Sequence, residues 1–351
     1  MASANDVAQL KSAIDANDLE GVVALMTRDR ALHQAPLGYG EDGPLTWVAE
    51  CRVPWEAPSP TRLAMAAWMI ENGSDVHQGG DGPLVRAALN GYRIPMMELL
   101  VVHGADVNAL WHGHFPIVFA PCESLDPDSL RWLLEHGADP NRRDPQQSVM
   151  GESFHGTALD YAIGSYARSP ERLRACIDIL LEAGGETKYD APVVSLLRGR
   201  LGELATYIDA DPSLVDSQFV GLDFGMSGGR RLALRGATLL HVAAEYGLID
   251  AATLLLDRGA NIDARATIDA DGVGGQTAIF HAVTQFHDFG LPVAQLLIER
   301  GANLAMQVQL PGDYEQPGEV VVCTPLSYAR RFGGPSDRAT VALLRDSGAV
   351  D

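Results

Sequence analysis

The sequence predicts an all-α chain, a solenoid of stacked helix-turn-helix units with β-hairpin-like finger loops between them. Three observations carry that reading. The stretch 236–263, GATLLHVAAEYGLIDAATLLLDRGANID, reads as two short helices split at Gly247 and stopped at Gly259. Its pattern of apolar spacing and glycine stops recurs along the chain at intervals of roughly 33 to 45 residues. Three long segments interrupt the pattern in the C-terminal part, 217–235, 264–275 and 305–322.

Each feature of the reference stretch has a physical task. Thr238 stands where a side-chain oxygen caps a helix start, and His241 follows one turn later on the same side. Ala243 and Ala244 are small enough for two antiparallel helices to approach closely, while Leu254, Leu255 and Leu256 give the second helix its apolar stripe. Gly259 follows the last turn, where a left-handed residue is favoured. One such pair cannot bury both of its faces and needs neighbours.

The stretch resembles one ankyrin repeat. It follows the pattern T-P-L-H-x-A, then G after a short spacer, paired Leu, and G-A-x-x-N/D, with Leu239 in place of the usual Pro. Similar units begin with a polar capping unit at 1–40 (Val7 to His33 at its centre) and continue through GPLTWVAEC at 43–51, GPLVRAALNGY at 82–92 and FPIVFAPCE at 115–123. They go on through GTALDYAIGSY at 156–166, a degenerate PVVSLLRGRLGELATYIDADPSLVD at 192–216, the reference stretch, QTAIFHAVTQ at 276–285 and CTPLSYARRF at 323–332. About nine units then make a single solenoid of 1–351, with extended fingers over 217–323 and a C-terminal repeat at 324–351. The resemblance implies fingers that overhang a concave groove and a protein partner bound there. The finger at 305–322 carries two turns between β-prone flanks and predicts a long hairpin.

Bulk properties exclude several function classes. The net charge of −20 repels phosphate backbones and anionic membranes, which argues against nucleic acid and for a basic or amphipathic protein partner. Lys11 and Lys188 are the only lysines, so Schiff-base and phosphate-loop lysine chemistry is nearly excluded. Apolar runs are short and interrupted by charge, which predicts no transmembrane helix, and the start MASANDVAQLKSAIDAND has no secretory pattern. Cys51, Cys122, Cys176 and Cys323 lack metal or disulfide spacing and point to the reduced cytoplasm. No cofactor motif is present: HExxH, Gly-Lys-Ser/Thr and CxxC are absent, and the DFG triplets at Asp223 and Asp288 lack the rest of the kinase set.

Candidate site residues come from register. The resemblance implies an aliphatic residue after the His of T-P-L-H, and the aligned positions here are Trp47, Arg86, Phe119, Tyr161, Val242, His281 and Tyr328. Such large groups in one column line a ligand groove, or else pack as oversized core. The two positions after the paired alanines, partner-contacting by resemblance, hold Glu50 and Cys51, Leu89 and Asn90, Glu245 and Tyr246, Thr284 and Gln285, and Arg330 and Arg331. His281 suits a general base oriented by Glu245 or Asp288, with His287 beside it, against the plainer reading of a satisfied core histidine. His241 occupies the structural His position and reads as a bridge between repeats.

Among the finger residues, Arg230, Arg231 and Arg235 next to GMSGG suit a small anionic ligand. Ser227 matches G-x-S-x-G literally but lacks the strand-turn-helix that motif needs. His112 and His114 with Glu152 and His155 are a weak metal constellation, and no metal site is assigned. Asp223, Tyr314 and Glu319 complete the set of expected contacts on the fingers. The leading expectation is a protein-binding scaffold. Its rival is a small-molecule binder, or a cofactor-free acid–base or hydrolytic enzyme, with its site in the C-terminal groove.

Overall fold

A computed structural model of the chain describes residues 2–50, 55–146, 156–225, 229–333 and 338–351. They are mostly helical and divide into two compact units. Unit 1 is Met1–Ala162 with Ala175–Thr187, and unit 2 is Ile163–Arg174 with Lys188–Asp351. No helix among the described residues is long and apolar enough to cross a membrane.

Unit 1 contains α1 (Ala4–Asp15), α2 (Leu19–Arg28), α3 (Pro44–Glu50), α4 (Pro60–Glu71), α5 (Gly82–Leu89) and α6 (Ile94–Val102). A two-residue hairpin follows, β1 (Leu110–Trp111) with β2 (Phe115–Pro116), then α7 (Phe119–Ser124) and α8 (Pro127–Glu135). Helices α9 (Ala158–Gly164) and α10 (Pro170–Glu182) are cut by the division between units. Successive helices pack in pairs, α1 on α2 through α7 on α8, and each odd-numbered helix up to α7 also meets the next odd one. All five tryptophans belong to this unit.

Unit 2 repeats the scheme with α11 (Ala191–Leu197), α12 (Leu201–Ala210), α13 (Leu239–Glu245), α14 (Ile249–Asp257), α15 (Ala278–Ala282) and α16 (Leu291–Glu299). It ends with β3 (Val308–Pro311), β4 (Val320–Cys323), α17 (Pro325–Phe332) and α18 (Ala339–Asp346). Helices α11, α13, α15 and α17 pack serially, as do α12, α14, α16 and α18. The core is therefore a row of small apolar layers, each shared by neighbouring pairs.

The local chemistry matches the sequence reading. The Thr238 backbone N–H donates to His241 Nδ1 at 3.2 Å, and the Thr238 hydroxyl lies 2.9 Å from the same nitrogen. His241 Nε2 then donates to the Gln276 carbonyl at 3.0 Å, tying α13 to the start of the next unit. Asp and Asn in the stop turns tie turn to turn: the Asn108 amide donates to the Gly137 carbonyl and accepts from the Asp139 N–H, both at 2.8 Å. Asp216 accepts from the Asn261 N–H at 2.7 Å, and Asp263 from the Asn303 N–H at 2.9 Å. Gly247 has φ +62, and a Cβ there would meet the Phe289 ring at 2.7 Å, so only glycine fits this turn without displacing Phe289.

The hairpin expected within 305–322 is present, with β3 and β4 antiparallel in the register Val308↔Cys323 to Pro311↔Val320. The β1–β2 hairpin was not expected, because two-residue strands leave no alternation to read. Cys51, the Glu152 and His155 candidates, and Ser227 lie outside the described residues.

Candidate functional site

Unit 2 encloses a charged cluster centred on Glu245, the last residue of α13. Arg168 donates to Glu245 Oε1 through Nη2 at 2.8 Å and Nε at 3.2 Å. Arg230 Nη2 donates to Oε2 at 2.7 Å, and His281 Nδ1 donates to the same oxygen at 2.7 Å. Glu245, Arg230 and His281 are all 0% exposed. Tyr246 closes the near side, its hydroxyl donating to the Ile163 carbonyl at 2.6 Å while Arg168 lies over its ring.

The electrostatics follow from that enclosure. Burial works to raise the Glu245 carboxyl, but Arg230, Arg168 and the His281 hydrogen bond outweigh it and hold the group far below the carboxylate range. Burial lowers His281 in spite of Glu245, and the two arginines reinforce the shift, so the imidazole is neutral. With Nδ1 donating, Nε2 carries the lone pair, and it has no hydrogen-bond partner. Tyr328 Oη and Gln285 Oε1 are likewise buried and unpartnered. A carboxylate that orients an imidazole with a free Nε2 is a general-base geometry. Here the same groups are sealed in the core, so the cluster as it stands serves packing and structure.

Several sequence expectations change accordingly. Arg230 does not present an anion site on its finger: it is buried on Glu245, with Nη1 on the Leu232 carbonyl. Arg231 lies over the Tyr314 ring and Arg235 is exposed, so the three arginines do not form one anion cradle. Asp288 does not orient His281. Its carboxylate accepts from the backbone N–H groups of Ala339 and Thr340, both at 3.1 Å, and pairs with Arg338, closing the start of α18. His287 is exposed beside it, at φ +52.

Tyr161, His281 and Tyr328 are buried rather than groove-lining, the oversized core that the register allowed, and Tyr246 and Gln285, expected as partner contacts, are buried as well. Tyr161 stacks on Phe119 with ring centroids 4.7 Å apart and donates to Glu123 Oε2 at 3.1 Å. Trp47 is half-buried and donates to Asp15 Oδ1 at 2.8 Å. Asp223 is held by the Tyr189 hydroxyl at 2.5 Å and by Lys188. His112 pairs with Asp42 at 3.0 Å, and the described residues contain no group of three or more metal-ligating side chains. Arg168 was missed by sequence reasoning. The one available signal was the extended connection SYARSP between the two helices of one unit, longer than a helix-turn-helix needs.

The fingers of unit 2 form a second feature. The Thr267 N–H donates to the Gly236 carbonyl at 3.2 Å, and the Gly274 N–H donates to the Gln309 carbonyl at 2.7 Å. The Tyr314 N–H reaches the Gly229 carbonyl at 2.7 Å, and Glu319 accepts from the Asp313 N–H at 2.8 Å while pairing with Arg331. All three long segments are thereby joined in one hydrogen-bonded ladder. Because the Gln309 backbone faces Gly274, the pair Gln309↔Val322 is not hydrogen-bonded, and neither is Pro311↔Val320 two residues on. Val320 and Val322 therefore turn their N–H and C=O groups to the outside of β4, where no backbone partner exists among the described residues. Their side chains are exposed too, Val322 at 64%, and Tyr314 and Ile268 are exposed on the same set of fingers.

Comparison with known proteins is consistent with this architecture. Residues 235–267 match the family model of the ankyrin repeat. The chain is also similar to the B-cell lymphoma 3 protein homolog of Mus musculus, 40% identical over 90 residues. The aligned part is 25% of this chain and spans 18% of that relative's length.

Proposed function

We propose that the chain is a protein-binding scaffold, a solenoid of ankyrin-type units whose finger ladder in unit 2 receives an extended segment of another protein along the open edge of β4. One observation carries this reading: Val320 and Val322 expose their side chains, and their outward backbone groups have no backbone partner among the described residues. Such an edge is a template for an added strand, with main-chain hydrogen bonds for affinity and alternate side chains for selection. Ankyrin repeats are generally protein-interaction modules, which supports the same conclusion. The net charge of −20 favours a basic or amphipathic partner. A cytoplasmic setting suits Cys122, Cys176 and Cys323, which are buried and in no disulfide.

The test pairs capture with stability. Wild-type protein and a Val320→Lys/Val322→Lys variant are immobilised, exposed to native lysate, and compared by quantitative mass spectrometry. The expected result is loss of about tenfold or more of the specifically captured protein with no change in melting temperature. Identical capture by the two proteins overturns the reading.

A further inference from the structure

We propose that a cavity in unit 1, beside the β1–β2 hairpin, binds an organic cation on an alkyl stem, with an arginine-type guanidinium as the best-fitting group. The cavity holds about 290 Å³ and is lined by Glu50, Arg86, Leu89, Trp111, Phe115 and Glu123 among others. That volume suits one side-chain-sized group rather than a large cofactor.

Charge and hydrogen bonding define the class of ligand the cavity would take. Among the described lining residues two glutamates face one arginine, a formal excess of one negative charge. Glu50 Oε2 is buried and has no hydrogen-bond partner, and a buried carboxylate oxygen left unsatisfied is costly. A ligand that brings positive charge and N–H donors to Glu50 cancels both deficits. The walls favour the same class. Trp111 and Phe115 meet edge to face with centroids 5.9 Å apart, and Arg86 already lies over the Trp111 ring at 5.4 Å. This is an aromatic lining that accepts a guanidinium by stacking and by cation–π attraction. Leu89 supplies an apolar surface for an alkyl stem.

The pocket is also held in shape. Trp111 donates from Nε1 to Asp42 Oδ2 at 2.5 Å, and Asp42 is 2% exposed. Phe115 packs edge-on against both Phe119 and Tyr161, at 5.8 and 5.9 Å. A rigid wall lowers the ordering cost of binding. The assignment does not rest on the finger-edge reading, because the pocket lies wholly in unit 1.

Titration calorimetry with full-length protein tests it, using Nα-acetyl-arginine amide, the uncharged isostere Nα-acetyl-citrulline amide, and a short arginine-containing peptide as probes. The arginine probe is expected to bind at millimolar or tighter concentration, with the citrulline probe weaker by about tenfold or more. Glu50→Gln should weaken the arginine probe by a similar factor while melting temperature stays within error. Trp111→Leu, a second variant, should weaken it as well. A peptide that binds more tightly than the capped amino acid identifies a partner's side chain as the source, and equal affinities identify a free small molecule. Absence of arginine binding, equal binding of citrulline, or indifference to Glu50→Gln each overturns the proposal.

Discussion

Glu245 satisfies two guanidinium groups and one imidazole with two oxygens; Arg230 and His281 are removed from water, and Arg168 keeps only a small exposure. Such a cluster is weak evidence for stability in itself, yet breaking it leaves uncompensated buried charge. Its histidines make a sharper prediction. His241 falls from 6.5 to about 3, chiefly because it is buried, with His281 alongside lowering it further. The unfolded chain therefore takes up a proton near pH 6.5 that the folded chain refuses. Stability from this group is complete above that pH and drains away as the pH falls toward 3. His281 is shifted in the same direction, whereas the contribution of Glu245, held far below its ordinary value of 4.5, is complete above about that pH and drains away as the pH falls further. Between pH 7 and pH 5 His241 alone should cost about 2 kcal/mol of unfolding free energy. Denaturant titrations at several pH values check this, and His241→Gln should flatten the slope by about one proton. The role of His241 was legible because Thr-x-x-His fixes both ends of a local bond. Arg230 was not, since its glycine neighbours advertise an exposed loop and hide the acid it meets in the fold.

At the level of elements, the helix pairs were readable because each is closed by its own residues: a cap, small residues at the contact, a glycine stop. The β3–β4 hairpin was readable for the same local reason. What escaped was contact at long sequence separation, as when Asp288 in the loop before α16 closes the start of α18. A histidine and an aspartate close in sequence suggested chemistry, but the chain spends the aspartate on a helix cap. Backbone and side-chain donors from Thr340 and Ala339 and the nearby Arg338 hold its carboxyl low against the opposing effect of burial. Asp288→Ala should then lower stability by about 1–2 kcal/mol, the usual cost of a lost cap. Chemical unfolding followed by circular dichroism measures it. An unchanged midpoint would remove the capping role.

For the molecule as a whole, the serial packing within each unit means that a pair depends mainly on its immediate neighbours. The division into units 1 and 2 then predicts unfolding in more than one step, because nearest-neighbour stabilisation does not enforce a single cooperative transition. The placement of all five tryptophans in unit 1 makes this measurable without any label. Indole emission should report the melting of one half of the chain, while far-ultraviolet dichroism sums both halves. Curves that separate along the denaturant axis are the expected result, and superimposable curves would mean that the halves melt as one. Acidification should sharpen the contrast, because the silent half holds the Glu245 cluster with its buried imidazoles. The protein thus carries a built-in optical reporter for the half that lacks the finger ladder, and the half with the ladder can be followed as the remainder.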